Sequence, residues 1–286
     1  MRLEDYPTEP RYETTVLRSQ RISEADAEVE VRELVLEVDK HAFNFDIGQS
    51  IGVLVEGPDE FGGSVHHRLY TVADTPLPKG KGKPEVTIVV RRCNYIDDYS
   101  GEEYVGVNSN YLCDRKPGDT VTITGPFGMP FKVPADKSAN LLLIGLGTGI
   151  APFRALVKHI YKEVGGWKGK VLLMYGAHSG LELLYMNNQR DDFARYYDEE
   201  TFEAIKALSP RPNWADPIAW DYAVEDRAEE IWDLLESEHT FVYVAGLAPV
   251  RDALDKLFGD ISGSQKGWAK RKAKLIEEDR WVELLY

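Results

Sequence analysis

Apolar and polar positions along this 286-residue chain change rhythm near residue 137. Before it, apolar residues come in short alternating runs. Val29/Val31 and Leu34/Leu36/Val38 alternate with a change of phase between them, which predicts a bulge or two strands. Ile51–Val55, Leu69–Val72, Glu85–Val90 and Thr120–Thr124 predict further strands, with Gly, Pro, Asp and Asn between them. Short strands, frequent turn signals and little helical periodicity predict a small antiparallel barrel over residues 21–136. Residues 1–20 are polar, carry two prolines and read as a loosely attached arm.

Beyond residue 137 buried strands alternate with helices. Leu141–Ile144, Lys170–Tyr175 and Thr240–Ala245 are nearly continuous apolar runs, and helical periodicity covers Phe153–Val164, Asp191–Tyr197 and Ala223–Glu236. This alternation predicts a parallel-sheet α/β domain over 137–286, with ligands at the carboxyl ends of its strands. Those ends are marked by Gly145–Gly149, Gly176–Ser179 and Ala245–Leu247. Gly145-Leu146-Gly147-Thr148-Gly149 is the sharpest of them. Glycines let the backbone turn tightly and approach a ligand, and the helix start beyond them favours a phosphate. The fold class is therefore a two-domain β + α/β protein, and a barrel joined to a nucleotide-type domain is the layout of a two-ligand protein.

Charge narrows the choice of partners. Against 34 Lys and Arg stand 48 Asp and Glu, a formal net charge of −14, which argues against nucleic acid. No apolar run approaches the roughly 20 residues of a membrane span, and the opening Met1–Tyr6 lacks a secretory apolar region, so a cytoplasmic location is the default expectation. Two basic clusters stand out. Lys79, Lys81 and Lys83 form one; Lys266, Lys270, Arg271, Lys272 and Lys274 form the other, with Lys266, Lys270 and Lys274 spaced to share a helix face. Each reads either as solvated surface or as a docking surface for an acidic partner. Two cysteines, Cys93 and Cys113, fall short of the four thiolates an iron–sulfur cluster usually takes. The histidines show no paired-ligand spacing beyond His66-His67, and no metal is expected.

Six motifs then occur in one order. They are Arg68-Leu69-Tyr70-Thr71; Gly106-Val107-Asn108-Ser109-Asn110-Tyr111-Leu112-Cys113; Thr124-Gly125-Pro126-Phe127-Gly128; Gly145–Arg154; Leu183-Leu184-Tyr185; and Val244-Ala245-Gly246-Leu247, with an aromatic last residue, Tyr286. In this the chain resembles the plant-type ferredoxin–NADP⁺ reductases over about Gly48–Tyr286. The resemblance implies an FAD-binding barrel followed by an NADP-binding α/β domain. For FAD it implies Arg68 on the pyrophosphate, where a planar guanidinium suits phosphate. It further implies Leu69 and Tyr70 against the flavin, Thr71 directed at flavin N5, Val90 and Arg91, Tyr95 on the adenine, and the loop Gly106, Val107, Asn108 and Ser109 on the pyrophosphate. Tyr286 would stack on the flavin and yield to nicotinamide. For NADP(H) it implies Gly147, Thr148, Gly149, Ala177, His178, Gly246 and Leu247, with Ser209 and Arg211 on the 2′-phosphate and Tyr222 on the adenine. Thr71, Ala245, Glu283 and Tyr286 would make up the catalytic set.

Three departures from the family pattern are visible. Ala245 replaces a cysteine, Trp220 replaces a basic residue two before Tyr222, and Glu283 lies three rather than two residues before the terminal aromatic. The resemblance implies an FAD-dependent reductase that transfers hydride between NADPH and flavin, and single electrons between flavin and ferredoxin or flavodoxin. Docking of the acidic carrier would use Lys79, Lys81, Lys83, Lys270, Arg271 and Lys274. An NADH-preferring flavoprotein reductase feeding an oxygenase or another acceptor is the alternative within the fold. A non-catalytic flavin-binding subunit is the alternative of another class.

Overall fold

Period-two burial builds the first half of the chain. A computed structural model describes residues 5–40, 42–57, 65–78, 82–96, 103–129, 131–212 and 216–286. The chain divides into two compact units, Met1–Phe131 with Arg154–Lys158, and Lys132–Phe153 with His159–Tyr286.

The first unit holds β1 (Tyr12–Arg21), β2 (Val31–Val38), β3 (Ser50–Glu56), β4 (Val65–Thr71), β5 (Glu85–Arg91), the short pair β6 (Asn94–Ile96) and β7 (Glu103–Val105), helix α1 (Val107–Cys113) and β8 (Thr120–Phe127). Six of the strands pair antiparallel in the order β4-β3-β8-β1-β2-β5. A bridge between Val72 and Ile88 and a bond from the Ala73 N–H to the Thr87 carbonyl (2.8 Å) join the two ends into a barrel. Alternate residues, including Ile51, Val53 and Val55, Val86, Ile88 and Val90, and Val121 and Ile123, fill its interior. Leu112 and Cys113 of α1 belong to the same core. Burial pushes the Cys113 thiol up to about 12, so it is an inert packing group.

The arm expected over residues 1–20 is corrected here. Residues 12–21 are β1, a central strand paired with both β2 and β8. Its inward positions include Thr14, whose hydroxyl donates to the Val121 carbonyl at 2.7 Å. A satisfied threonine sits where an apolar residue would have announced the strand. The expected irregularity also lies in β1. The register slips between Val16 and Arg18, while β2 runs unbroken.

The second unit is a parallel sheet of β9 (Asn140–Leu146), β10 (Val171–Ala177), β11 (Phe202–Leu208), β12 (Thr240–Gly246) and β13 (Trp281–Leu285), in the order β11-β10-β9-β12-β13. The chain steps outward from β9 to β10 and β11, then returns to the other side of β9 with β12. Such a reversal opens a crevice at the carboxyl ends of the two central strands. Helix α2 (Ile150–Lys158) follows the glycine turn. Helices α3 (Trp220–Val224), α4 (Ala228–Glu236), α5 (Val250–Ile261) and α6 (Gln265–Glu277) contribute to one large core with Leu142, Ile144, Val242 and Val244.

Two expected helices shrink. Asp191–Tyr197 keeps a single tight turn, Ala194–Tyr196, because the Asp191 carboxylate accepts the Ala194 N–H at 2.9 Å. Ala223–Glu236 is split by a tight turn at Glu225–Arg227 into the end of α3 and all of α4. β11 had no clear signal in its sequence, Phe-Glu-Ala-Ile-Lys-Ala-Leu, where polar residues interrupt the apolar ones. No described helix is long and apolar enough to cross a membrane.

Candidate functional site

In the barrel unit, β4 carries the first group. By the two-residue period His66, Arg68 and Tyr70 share one face of this strand. Arg68 is exposed, with one guanidinium nitrogen donating to the His67 carbonyl at 2.8 Å. Tyr70 packs against the barrel core, and burial pushes its phenol well above the ordinary value, so it stays neutral. The Thr71 hydroxyl lies 3.2 Å from that of Ser50. Leu69 is half-buried, Val90 is buried and Arg91 is exposed.

The loop Gly106–Ser109 opens α1. Its polar side chains are braces. The Asn108 amide donates to the carbonyls of Val53 (3.0 Å) and His66 (3.2 Å), and the Ser109 hydroxyl accepts the Cys93 N–H at 3.2 Å. Arg92 adds bonds to Glu30, Asn110 and Asp114. What this loop offers a ligand is therefore its backbone, fixed beside β4; Val107 is exposed. Tyr95 has its backbone in β6, and its side chain lies outside the described residues.

FAD fits this group on one specific observation. The His66 Nε2 is buried with no hydrogen-bond partner among the described residues, and such an atom costs free energy until a polar ligand reaches it. It shares its face of β4 with the exposed guanidinium of Arg68. Histidine and arginine on one face suit a pyrophosphate.

In the α/β unit the glycine turn sits at the switch of strand order. A Cβ on Gly149 would stand 2.1 Å from the Ala245 carbonyl oxygen, so a side chain there would force the two strand ends apart. Gly246 has φ +141, and its Cβ would stand 2.8 Å from the Leu146 carbonyl oxygen. β9 and β12 thus meet as bare backbone at their ends, a cradle open to a dinucleotide. Ala245 is fully buried and Leu247 is exposed. Tyr175 braces the turn from below: its hydroxyl donates to the Gly147 carbonyl (3.0 Å) and accepts the Leu184 N–H (3.1 Å). Sequence reasoning passed over this residue inside an apolar strand. The signal available was a phenol in a buried run, which needs a partner.

Tyr286 is seated in the same turn. Its N–H donates to the Gly246 carbonyl and its carbonyl accepts the Ala248 N–H, each at 3.1 Å, and its hydroxyl pairs closely with that of Thr148. Tyr286 is thus held at both of its backbone groups.

Glu283 lies away from the glycine turn. β13 alternation turns it toward α5 and α6, on the side of the buried Trp281. Its carboxylate accepts from Arg251 (2.7 Å) and the Trp281 indole (2.8 Å), with Lys272 at 3.4 Å. Burial raises its pKa, but the Trp281 and Arg251 hydrogen bonds and the Lys272 and Arg251 charges outweigh that and hold the carboxyl below its ordinary value. Leu284 takes the position two before the terminal tyrosine.

At the ends of β10 and β11, Ala177 is buried and His178 is exposed. Ser209 is buried; its N–H donates to the His178 carbonyl at 3.3 Å. Arg211 and Tyr222 are exposed. Among the basic residues, Lys83 pairs with Asp39 (2.7 Å) and Glu37 (3.6 Å), and Lys274 with Glu238 (3.1 Å) and Glu278 (3.6 Å). Arg271 donates to the carbonyls of Leu235, Glu236 and Ser237 at the end of α4. Lys266 and Lys270 are exposed, and Lys79 and Lys81 lie outside the described residues.

Comparison with known proteins agrees with this layout. Residues 143–256 match the family model of the oxidoreductase NAD-binding domain. The chain is 31% identical to the chloroplastic leaf isozyme 1 of ferredoxin–NADP reductase from Oryza sativa, over 98% of this chain and 78% of the relative. It is 31% identical to the ferredoxin–NADP reductase of Picosynechococcus, over 90% of this chain and 65% of that one. The ferredoxin–NADP⁺ reductase of Plasmodium falciparum, solved with 2′P-AMP, has a similar fold, with a TM-score of 0.73 at 18% identity over 99% of this chain and 98% of the other.

Proposed function

The chain belongs to the ferredoxin–NADP reductase family, and from that premise we propose that it is an FAD-dependent enzyme moving hydride between NADP(H) and flavin, and single electrons between flavin and ferredoxin or flavodoxin. The observation that carries this reading is the bare backbone cradle of Gly149 and Gly246 at the switch of strand order, with Tyr286 seated on Thr148 within it.

The flavin supplies the chemistry, accepting hydride and releasing electrons singly. The chain supplies placement. Arg68, the unpartnered His66 nitrogen and the backbone of Gly106–Ser109 hold the pyrophosphate. Tyr70 and Leu69 pack on the ring system, with the backbone of Val90 and Arg91 beside it, and Tyr95 serves the adenine. Thr71 holds its hydroxyl toward the reacting edge. Gly147, Thr148, Gly149, Gly246 and Leu247 receive the nicotinamide half of the nucleotide, and Ala177 and His178 line its path. Ser209, Arg211 and Tyr222 receive the adenosine half. Tyr286 occupies the turn and exchanges its Thr148 contact for the incoming nicotinamide. Ala245 contributes backbone and lack of bulk; Glu283 contributes the anchoring of β13. Electron-carrier docking falls to Lys266 and Lys270, since Lys83, Arg271 and Lys274 are engaged within the fold.

An anaerobic titration tests the reading. NADPH is expected to bleach the flavin band, and added ferredoxin is expected to restore it. A protein that takes up FAD but is bleached by neither NADPH nor NADH would be a binding subunit instead.

A further inference from the structure

Past the carboxyl end of β11 the chain gathers its adenosine-side residues around a carboxylate. The Ala219 N–H donates to the Leu208 carbonyl at 3.1 Å, which joins the strand end to the start of α3. The buried Ser209 hydroxyl donates to the backbone carbonyl of Asp216 at 2.8 Å. Arg211 gives its Nε to one Asp216 carboxylate oxygen at 2.7 Å and one terminal nitrogen to the other at 3.4 Å. Tyr222, 80% exposed, lies with its ring in water. Trp220, in place of a second cation, is 5% exposed and fills the space over Gly176, where a Cβ would meet its ring at 2.6 Å. The exposed side chains that follow are acidic: Asp221, Glu225 and Asp226. The guanidinium thus meets any ligand already engaged by an anion.

We propose that Asp216 is a specificity-determining residue at the adenosine end of the nucleotide site, where its hold on Arg211 sets how strongly a 2′-phosphate is preferred to a 2′-hydroxyl. This rests on the reading above, that the α/β unit binds a nicotinamide dinucleotide. A phosphate monoester near neutral pH carries close to two negative charges. To reach the Arg211 fork it must displace the carboxylate or lie beside it, and like charges repel. A ribose hydroxyl meets no such opposition, because it can donate to that same carboxylate; in the classical dinucleotide fold, at a different position, a carboxylate on the 2′-hydroxyl likewise goes with NAD and an arginine with NADP. With both residues paired to each other, the site discriminates less than Arg211 alone would.

Binding of fragments separates this effect from catalysis. The flavin-loaded full chain would be titrated calorimetrically with 2′-phospho-AMP and with 5′-AMP, as the native chain, Asp216→Asn, Arg211→Gln and the double variant. Thermal midpoints would confirm that each variant is folded. Asp216→Asn is expected to raise the affinity ratio, 2′-phospho-AMP over 5′-AMP, by about 3- to 10-fold, the size expected for one partly exposed charge. Arg211→Gln is expected to lower that ratio; in its presence Asp216→Asn relieves only the direct repulsion, and the difference between the two backgrounds measures the share that acts through Arg211. An unchanged or lower ratio in Asp216→Asn would overturn the proposal and leave Asp216 as a loop brace. If the native chain binds neither fragment, and NADPH fails to bleach its flavin, the nucleotide reading itself falls and takes the proposal with it. If NADPH bleaches the flavin and only the ratio fails to move, the specificity role alone falls.

Discussion

Gly149 shows how little freedom one position can have. A methyl group there would collide with the Ala245 carbonyl and the Gly246 amide nitrogen, both backbone atoms that belong to β12. Gly149→Ala is expected to cost about 1–3 kcal/mol and to raise the KM for NADPH, because the strand ends must part to admit it. A urea titration and steady-state kinetics would check both. Tyr175 acts on the same turn from inside. Tyr175→Phe removes the partner of the Leu184 N–H and the Gly147 carbonyl, for an expected loss of about 1–3 kcal/mol. Unchanged stability would mean that water replaces the hydroxyl. The glycine turn was legible in the sequence because spacing alone defines it. Tyr175 was hidden by the apolar residues on either side. Asn108 and Ser109 were found by motif, yet their side chains bind their own protein, which no motif discloses.

The last strand illustrates what a one-residue offset does to an element. Because side chains alternate along β13, moving a glutamate by one position carries it to the opposite face of the sheet. Glu283 therefore ties β13 to α5 and α6 through Arg251 and Lys272. Glu283→Gln is expected to lower the thermal midpoint by a few degrees, on the order of 1 kcal/mol, and to leave the rate of flavin reduction within about twofold. A tenfold fall in that rate with unaltered stability would restore the glutamate to the chemistry. A second tie links sheet and helix at the other edge. The Arg227 hydrogen bond first, then Lys170, hold the Glu230 carboxyl down to about 2, against its ordinary 4.5. A depressed carboxyl stabilises the fold fully above about pH 4.5 and loses that contribution as pH falls through about 2. Glu230→Gln should thus be less stable by about 0.5–1 kcal/mol at neutral pH, with the gap closing in acid, in denaturant titrations at several pH values. Elements with clean periodicity, such as β3, β5, β9 and β12, could be read directly. β1 and β11 could not, since polar residues at inward or half-buried positions blur the pattern, and the turn at Glu225–Arg227 that splits the helix after Ala223 has no signal of its own in the periodicity.

At the scale of the whole molecule, charge and partner pull in opposite directions. A net charge of −14 repels an acidic carrier at long range, so attraction must come from a local patch. Lys266 and Lys270, exposed on α6, are proposed as such a patch. Oxidation of reduced ferredoxin is expected to slow as salt rises, and Lys270→Glu is expected to lower kcat/KM for ferredoxin several-fold while sparing NADPH. A salt-independent rate would remove the patch from the account. The two-unit plan itself was readable from the change of rhythm along the chain, because strand-only and strand–helix patterns differ over long windows. The pairing of β1 with β8 has a further bearing, on the order in which the protein is made. Tyr12 faces Ile123 across the ladder, more than a hundred residues later in the chain. β2 can cover one edge of β1 soon after it is made, but the other edge waits for β8. Once β8 has emerged, the six strands of the barrel can close ahead of the parallel sheet that follows them. The nucleotide turn, which draws on β9, β12 and Tyr286 beyond β13, is assembled later.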